Sequence, residues 1–257
     1  MSKKKNIALI YFLTVFLISI GIFYNTIAQK PLGKLKLSFI HTVNSKPLSL
    51  IDSVYKNDSN ESYKISKLKY YLFDFKLNDQ PIYSQHGKYL LVNADKKENE
   101  IEFEHINAGA YSTVSFKIGV DSIDNCSGAQ SGALDPINDM FWTWNSGYVF
   151  LKLEGTSPNS NADLNRLEYH LGGYKGDNAL STKIDLRCID EYGKSFLIRL
   201  DSNKETEVVV AFNLDNFWQR GTVSIKENSI CVSPGKIAKK LGTCFSTLFS
   251  IKSISKP

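Results

Sequence analysis

In "GKLKLSFIHTV" the side chains of Leu35, Leu37, Phe39, His41 and Val43 fall on one face of an extended chain. Apolar positions at a period of two predict a strand with one buried side. The pattern recurs at Ile101, Phe103 and His105 of "IEFEHI" and at Val114, Phe116, Ile118 and Val120 of "YSTVSFKIGV". It returns at Val149, Leu151 and Leu153 of "YVFLKLEG", at Ile184, Leu186 and Cys188 of "STKIDLRC", and in "KSFLIRLD" and "ETEVVVAFNLD". "SKLKYYLFDFKL" is apolar enough to be buried on both faces. Turn chemistry separates these runs in "KNDSNES", "NAGAY", "GTSPNSNAD", "GGYKGDN" and "DEYGK". Many short strands punctuated in this way predict an all-β fold, an antiparallel β-sandwich of Ig-like or Greek-key type with long loops. One stretch breaks the period. In "VSPGKIAKKLGTCFSTLFSI" a C-terminal helix is expected, with Ser233 as its cap and Pro234 in its first turn. Ile237, Leu241, Cys244, Phe245 and Leu248 form its apolar stripe.

The N-terminus sets the compartment. "MSKKKN" precedes the apolar run Ile7 to Tyr24, and small residues at Thr26 and Ala28 follow. This is the pattern of a secretory signal peptide cleaved after Ala28, leaving a single domain over residues 29–257. An uncleaved membrane anchor is the competing reading of so long a run. Cleavage removes Lys3, Lys4 and Lys5 and no acid, so the formal charge of +5 falls to +2. A near-neutral exported chain argues against nucleic acid or an anionic membrane as partner. It is expected in the periplasm, secreted, or at the cell surface.

Four cysteines remain, Cys126, Cys188, Cys231 and Cys244. An even number in an exported chain points to disulfides, and Cys231–Cys244 would close a short loop. Buried free thiols are the alternative. No CxxC spacing suggests zinc, and no GxSxG, Walker, HExxH or GxGxxG motif suggests a hydrolase or nucleotide site.

Chemistry therefore rests on histidines, sulfur, aromatics and acids. In "DPINDMFWTWNSGYVF", Met140, Trp142 and Trp144 share one face if the segment is a strand. A thioether is a soft ligand suited to cuprous copper, although methionine and tryptophan also pack together in cores. His41 and His105 lie on apolar faces, His86 lies in a turn, and His170 lies on the polar face of "RLEYHLGGY". Asp121, Asp124, Asp135 and Asp139 offer oxygen ligands for calcium, or simply Asx turns in a long polar loop.

Taken in order, "LKLSFIHTVNSKPLSL", "YKISKLKYYLFDFKL", "GALDPINDMFWTWNSGYVFLKLEG", "YHLGGY" and "SPGKIA" resemble MbnP-type proteins. These are exported copper-binding proteins named for their methanobactin-associated members, and the chain looks like the branch found in Bacteroidetes-type bacteria. The resemblance spans nearly all of the chain after residue 28. It implies a β-sandwich, export, and copper as the bound ion. It also implies a tryptophan oxidised to kynurenine beside the copper by a dihaem peroxidase-like (MbnH-type) partner. The positions that carry this over are His170, Trp142 or Trp144, Met140 and, more weakly, His41. The chain departs from its relatives at Leu90, where "YLLVNAD" stands in place of a "YHL" histidine, and in its cysteine placements.

Two functions follow as expectations. The first is an exported copper-binding or copper-handling protein that is not itself an enzyme. The second is a metal-free cell-envelope binding or adhesion module on the same sandwich, with its Tyr-rich strands and Asn/Asp/Ser loops facing a peptide or glycan.

Overall fold

A computed structural model describes residues 30–96, 98–143, 146–190, 192–219 and 223–255. The expected signal peptide and Trp144 lie outside the described residues. The principal strands are β1 Leu32–Val43, β2 Ser62–Leu77, β3 Leu90–Asn93, β4 Glu100–Asn107, β5 Thr113–Ile118 and β6 Leu151–Thr156. They continue as β7 Arg166–Leu171, β8 Thr182–Arg187, β9 Glu205–Asn213, β10 Ile230–Cys231 and β11 Phe249–Ile254. The helices are α1 Ser122–Cys126 and α2 Lys236–Gly242. No helix among the described residues is long and apolar enough to cross a membrane.

Two sheets stack as the period-two pattern requires. The first has the order β4–β1–β9–β11, and the second β8–β5–β2–β6–β7–β10, with β3 also paired to β2. Pairing is antiparallel except between β1 and β9 and between β7 and β10, which run parallel. Leu35, Leu37 and Phe39 of β1 and Val208, Val210 and Phe212 of β9 are fully buried. They share one buried core cluster with Tyr70 of β2, Phe116 of β5 and Leu151 and Leu153 of β6. Phe39 meets Phe116 edge-on at 5.7 Å, and Tyr70 stacks on Phe212 at 4.9 Å. Edge-on and offset arrangements of this kind stabilise by about 1 kcal/mol beyond the area buried.

β2 is long enough to serve two partners on one edge. β6 pairs with its first half, Lys64 to Tyr70, and β5 with its second, Leu72 to Leu77. At the junction Tyr71 N–H donates to Phe150 and Tyr71 C=O accepts from Gly119. Alternation then assigns the faces of β6. Leu151 and Leu153 point into the sandwich, so Lys152 and Glu154 point away from it.

Two expectations are corrected. The C-terminal helix starts later, at Lys236, and neither Ser233 nor any other side chain caps it. It ends at Gly242, where a Cβ would meet Leu180 Cδ2 at 2.8 Å. Beyond it the chain forms a short 3-10 turn, Phe245–Thr247, and then β11 on the edge of the first sheet. His105 is not on the core face of β4 either. It has φ 60° and is exposed, and the left-handed residue shifts the alternation so that Ile106 is buried instead.

Candidate functional site

The outward face of β2, β6 and β7 carries an ordered set of charges. Register aligns Lys69 of β2, Lys152 of β6 and His170 of β7, and beside them Lys67, Glu154 and Glu168. Period two places all six on one side of the sheet. Glu154 is the hub. Its Oε1 lies 2.8 Å from His170 Nε2 and its Oε2 lies 2.9 Å from Lys67 Nζ. The His170 hydrogen bond, opposed by burial and reinforced by Lys67 and Lys152, brings the Glu154 carboxyl down to about 2. An ionised carboxylate can only accept, so Nε2 carries the proton and donates it. Nδ1 of the same ring has no hydrogen-bond partner among the described residues.

The segment after Pro136 lies over this face and is held by lysines. Asp139 Oδ2 is 2.9 Å from Lys152 Nζ and 3.3 Å from Lys67 Nζ, and Lys69 Nζ donates to Asn138 O at 3.0 Å. Lys152 is 4% exposed, so its amine is given almost entirely to the sheet and this segment. Three residues on, the Trp142 ring rests against Gly172, two positions past His170 on the same side. A Cβ at Gly172 would stand 2.9 Å from Trp142 Cζ3 and 2.5 Å from the Tyr148 carbonyl oxygen. Only glycine admits that approach. Trp142 Nε1 is buried without a hydrogen-bond partner among the described residues. A buried N–H without a partner is a feature that calls for an explanation.

The other sequence candidates lie elsewhere. His41 is in the interlayer, 3.1 Å from the Tyr70 hydroxyl, and burial pushes its pKa down to about 4. Since Tyr70 faces inward and His170 outward, the second sheet separates the two histidines. Met140 is fully buried in the core cluster, where its thioether fills space. Of the expected metal set His41, Met140 and His170, the two histidines are therefore not brought together. Among the described residues no three His, Cys, Asp or Glu converge to hold a metal ion.

The acidic loop is used in full by the fold. Asp121 caps α1 through Ile123 N and Asp124 N, and it also binds Lys88. Asp124 accepts from Tyr89 Oη at 2.6 Å and from Lys88 at 2.7 Å. Asp135 caps the Pro136–Asn138 turn through Ile137 N, and Asp139 holds the lysines. The four acids form no calcium cage.

All four cysteines are free, which corrects the expected Cys231–Cys244 disulfide. Each buried thiol has its own carbonyl: Tyr111 O for Cys188, Ser233 O for Cys231 and Leu241 O for Cys244. Burial raises the Cys188 and Cys231 thiols and pushes Cys244 up to about 12. Iodoacetamide at neutral pH is therefore expected to add once, at the exposed Cys126, and four times after unfolding; fewer than four adducts in unfolded, unreduced protein would mean a disulfide.

The residues that the sequence reading passed over are Glu154, Lys152 and Lys67. Their signal was present, because in "YVFLKLEG" the positions between the buried Leu151 and Leu153 are charged. Their partners could not be seen without the register that aligns β6 with "RLEYHL".

A family model described as MbnP matches residues 32–233. A solved structure, MbnP from Methylosinus trichosporium, is similar with a TM-score of 0.52, covering 78% of this chain and 83% of its own, at 16% identity. At that identity the likeness concerns the fold. No curated protein matches the chain.

Proposed function

The chain belongs to the MbnP family, and on that premise we propose that it is an exported protein that binds and handles copper at His170. It does so as a carrier and not as an enzyme. One observation carries the reading. His170 gives its Nε2–H to Glu154 and keeps Nδ1 unpaired. This is the arrangement in which a carboxylate fixes the tautomer and orientation of a metal-binding imidazole. The residues fit a single-histidine anchor and not a closed cage, which suits a cargo ion that must be taken up and released. Trp142 or Trp144 is the tryptophan oxidised to kynurenine by a dihaem peroxidase-like partner in this reading, and the Trp142 indole N–H, buried without a partner among the described residues, supports Trp142.

A copper titration of the exported protein tests the reading. Micromolar or tighter binding is expected, weakened about tenfold or more by His170→Ala. No such binding, or binding indifferent to that substitution, would overturn it. A second reading, the metal-free envelope module, is favoured by one observation: Lys67 and Lys152 already neutralise the carboxylates that a metal would need. Intact mass separates the two. Protein from cells that make the dihaem partner carries an oxidised tryptophan under the first reading and none under the second.

A further inference from the structure

β11 is an edge strand. Among the described residues it pairs with β9 alone. Ser250 to Ser255 line a cleft of about 990 Å³ without a break, and the rest of the lining comes from residues between Ile189 and Arg199. The strand keeps a row of backbone groups on its free side. Asn213 N–H donates to the Leu248 carbonyl and Ser255 N–H to the Glu207 carbonyl. With the register, strand alternation then points the N–H and C=O of Phe249, Ile251 and Ile254 away from β9. An edge of this kind is a template for a further strand.

Apolar side chains border the cleft. Ile189, Tyr192 and Leu197 are exposed, and Ile251 and Ile254 stand half-buried on the strand. The charges are not balanced. Arg199 and Lys252 line the cleft, both exposed and neither with an ion-pair partner among the described residues. The lining acid, Asp190, accepts through Oδ1 from the backbone N–H groups of Tyr192 and Lys194 in its own turn. Lys252 is also the extra residue where the β9–β11 register slips. A lysine and a bulge on an edge discourage indiscriminate pairing, so a strand that docks here must bring a carboxylate. A second copy of β11, "FSIKSI", brings none. Pairing it with itself would repeat the same patch and set lysine near lysine.

We propose that β11 accepts an extended segment of a partner protein, added as a strand on its free edge, in which acidic side chains alternate with apolar ones. The carboxylates lie toward Arg199 and Lys252, and the apolar side chains toward Ile251, Ile254 and Leu197. The cleft shares no residue with the His170 site, so this binding is independent of copper.

Calorimetric titration of the exported protein with three blocked peptides tests it: Ac-TVEVEVT-amide, Ac-TVKVKVT-amide and Ac-TVEPEVT-amide. The first, acidic peptide is expected to bind. Lysine in place of glutamate, or a central proline that removes a backbone donor, is expected to weaken binding about tenfold or more. Arg199→Glu combined with Lys252→Glu, both at exposed positions, is expected to reverse the preference between the acidic and basic peptides. No binding of the acidic peptide at about 1 mM would overturn the proposal. So would undiminished affinity for either of the other two, or a preference unchanged by the charge reversal. A dimer that the acidic peptide does not disperse would overturn it by assigning the edge to a second copy. Retention of peptide binding in His170→Ala separates this result from the copper test.

Discussion

Glu61→Ala is expected to lower stability by about 3–5 kcal/mol, the largest loss from any single side chain outside the apolar core. Glu61 is 7% exposed, and its carboxylate ties two distant segments together. It accepts from Asn57 Nδ2 at 2.7 Å, Ser224 Oγ at 2.8 Å, Ile225 N at 2.9 Å and Lys226 N at 3.1 Å. Alanine leaves all four donors without an acceptor, two of them backbone amides. Water would satisfy some of them, but Ile225 is fully buried. For a chain of this size the loss corresponds to a fall in Tm of about 6–20 °C. A shift of less than about 3 °C would contradict the account.

The same carboxylate gives a pH signature. Burial alone would raise its pKa, yet the hydrogen bonds from Asn57, Ile225, Lys226 and Ser224 outweigh burial and hold it below the ordinary glutamate value. A group depressed in the folded state binds protons more readily when unfolded. Its contribution is complete above the ordinary glutamate pKa and is lost as pH falls through the folded value. Acid titration of stability is therefore expected to be shallower in Glu61→Ala than in the native protein over that acidic window.

Gly155→Ala is the second large effect. The β6–β2 register slips between Glu154 and Gly155, so that Glu154 faces Lys67 while Gly155 faces Ile65, with Ser66 as the extra residue. At that slip the two backbones close on each other. A Cβ at 155 would fall on the Lys64 carbonyl oxygen, far inside van der Waals contact, and 3.1 Å from Ile65 Cα. Both obstacles are backbone, so no rotamer change relieves them and the strands must part. A loss of about 3 kcal/mol or more is expected, with Tm lower by about 6–12 °C. Because Gly155 adjoins Glu154, the His170 pair is expected to loosen as well. Native Tm in Gly155→Ala would show that the strands are not so close.

Where side chains alternate cleanly, the sequence was enough to place strands, and β1, β5, β8 and β9 formed where the period predicted them. β11 was hidden because it follows directly on a helical stripe that runs from Ile237 to Leu248, and only pairing with β9 shows where the strand begins. His105 looked like a core residue because period two assumes an unbroken strand, and a single left-handed residue reverses the alternation. The cysteine count misled because export permits disulfides without bringing thiols together. The acidic loop suggested calcium because the capping partners of Asp121 and Asp135 are backbone amides that composition does not reveal. His170 and Trp142 were visible as separate features. That the 136–143 segment lies over the outward face of the second sheet depends on lysines reaching from β2 and β6.

Electron paramagnetic resonance of the protein loaded with one equivalent of Cu(II) tests the central claim most directly. Nitrogen splitting from an imidazole is expected, lost in His170→Ala and retained in His41→Ala, whose histidine is buried on the inner face of the sheet beside Tyr70. A spectrum unchanged by His170→Ala, or one abolished by His41→Ala, would contradict it.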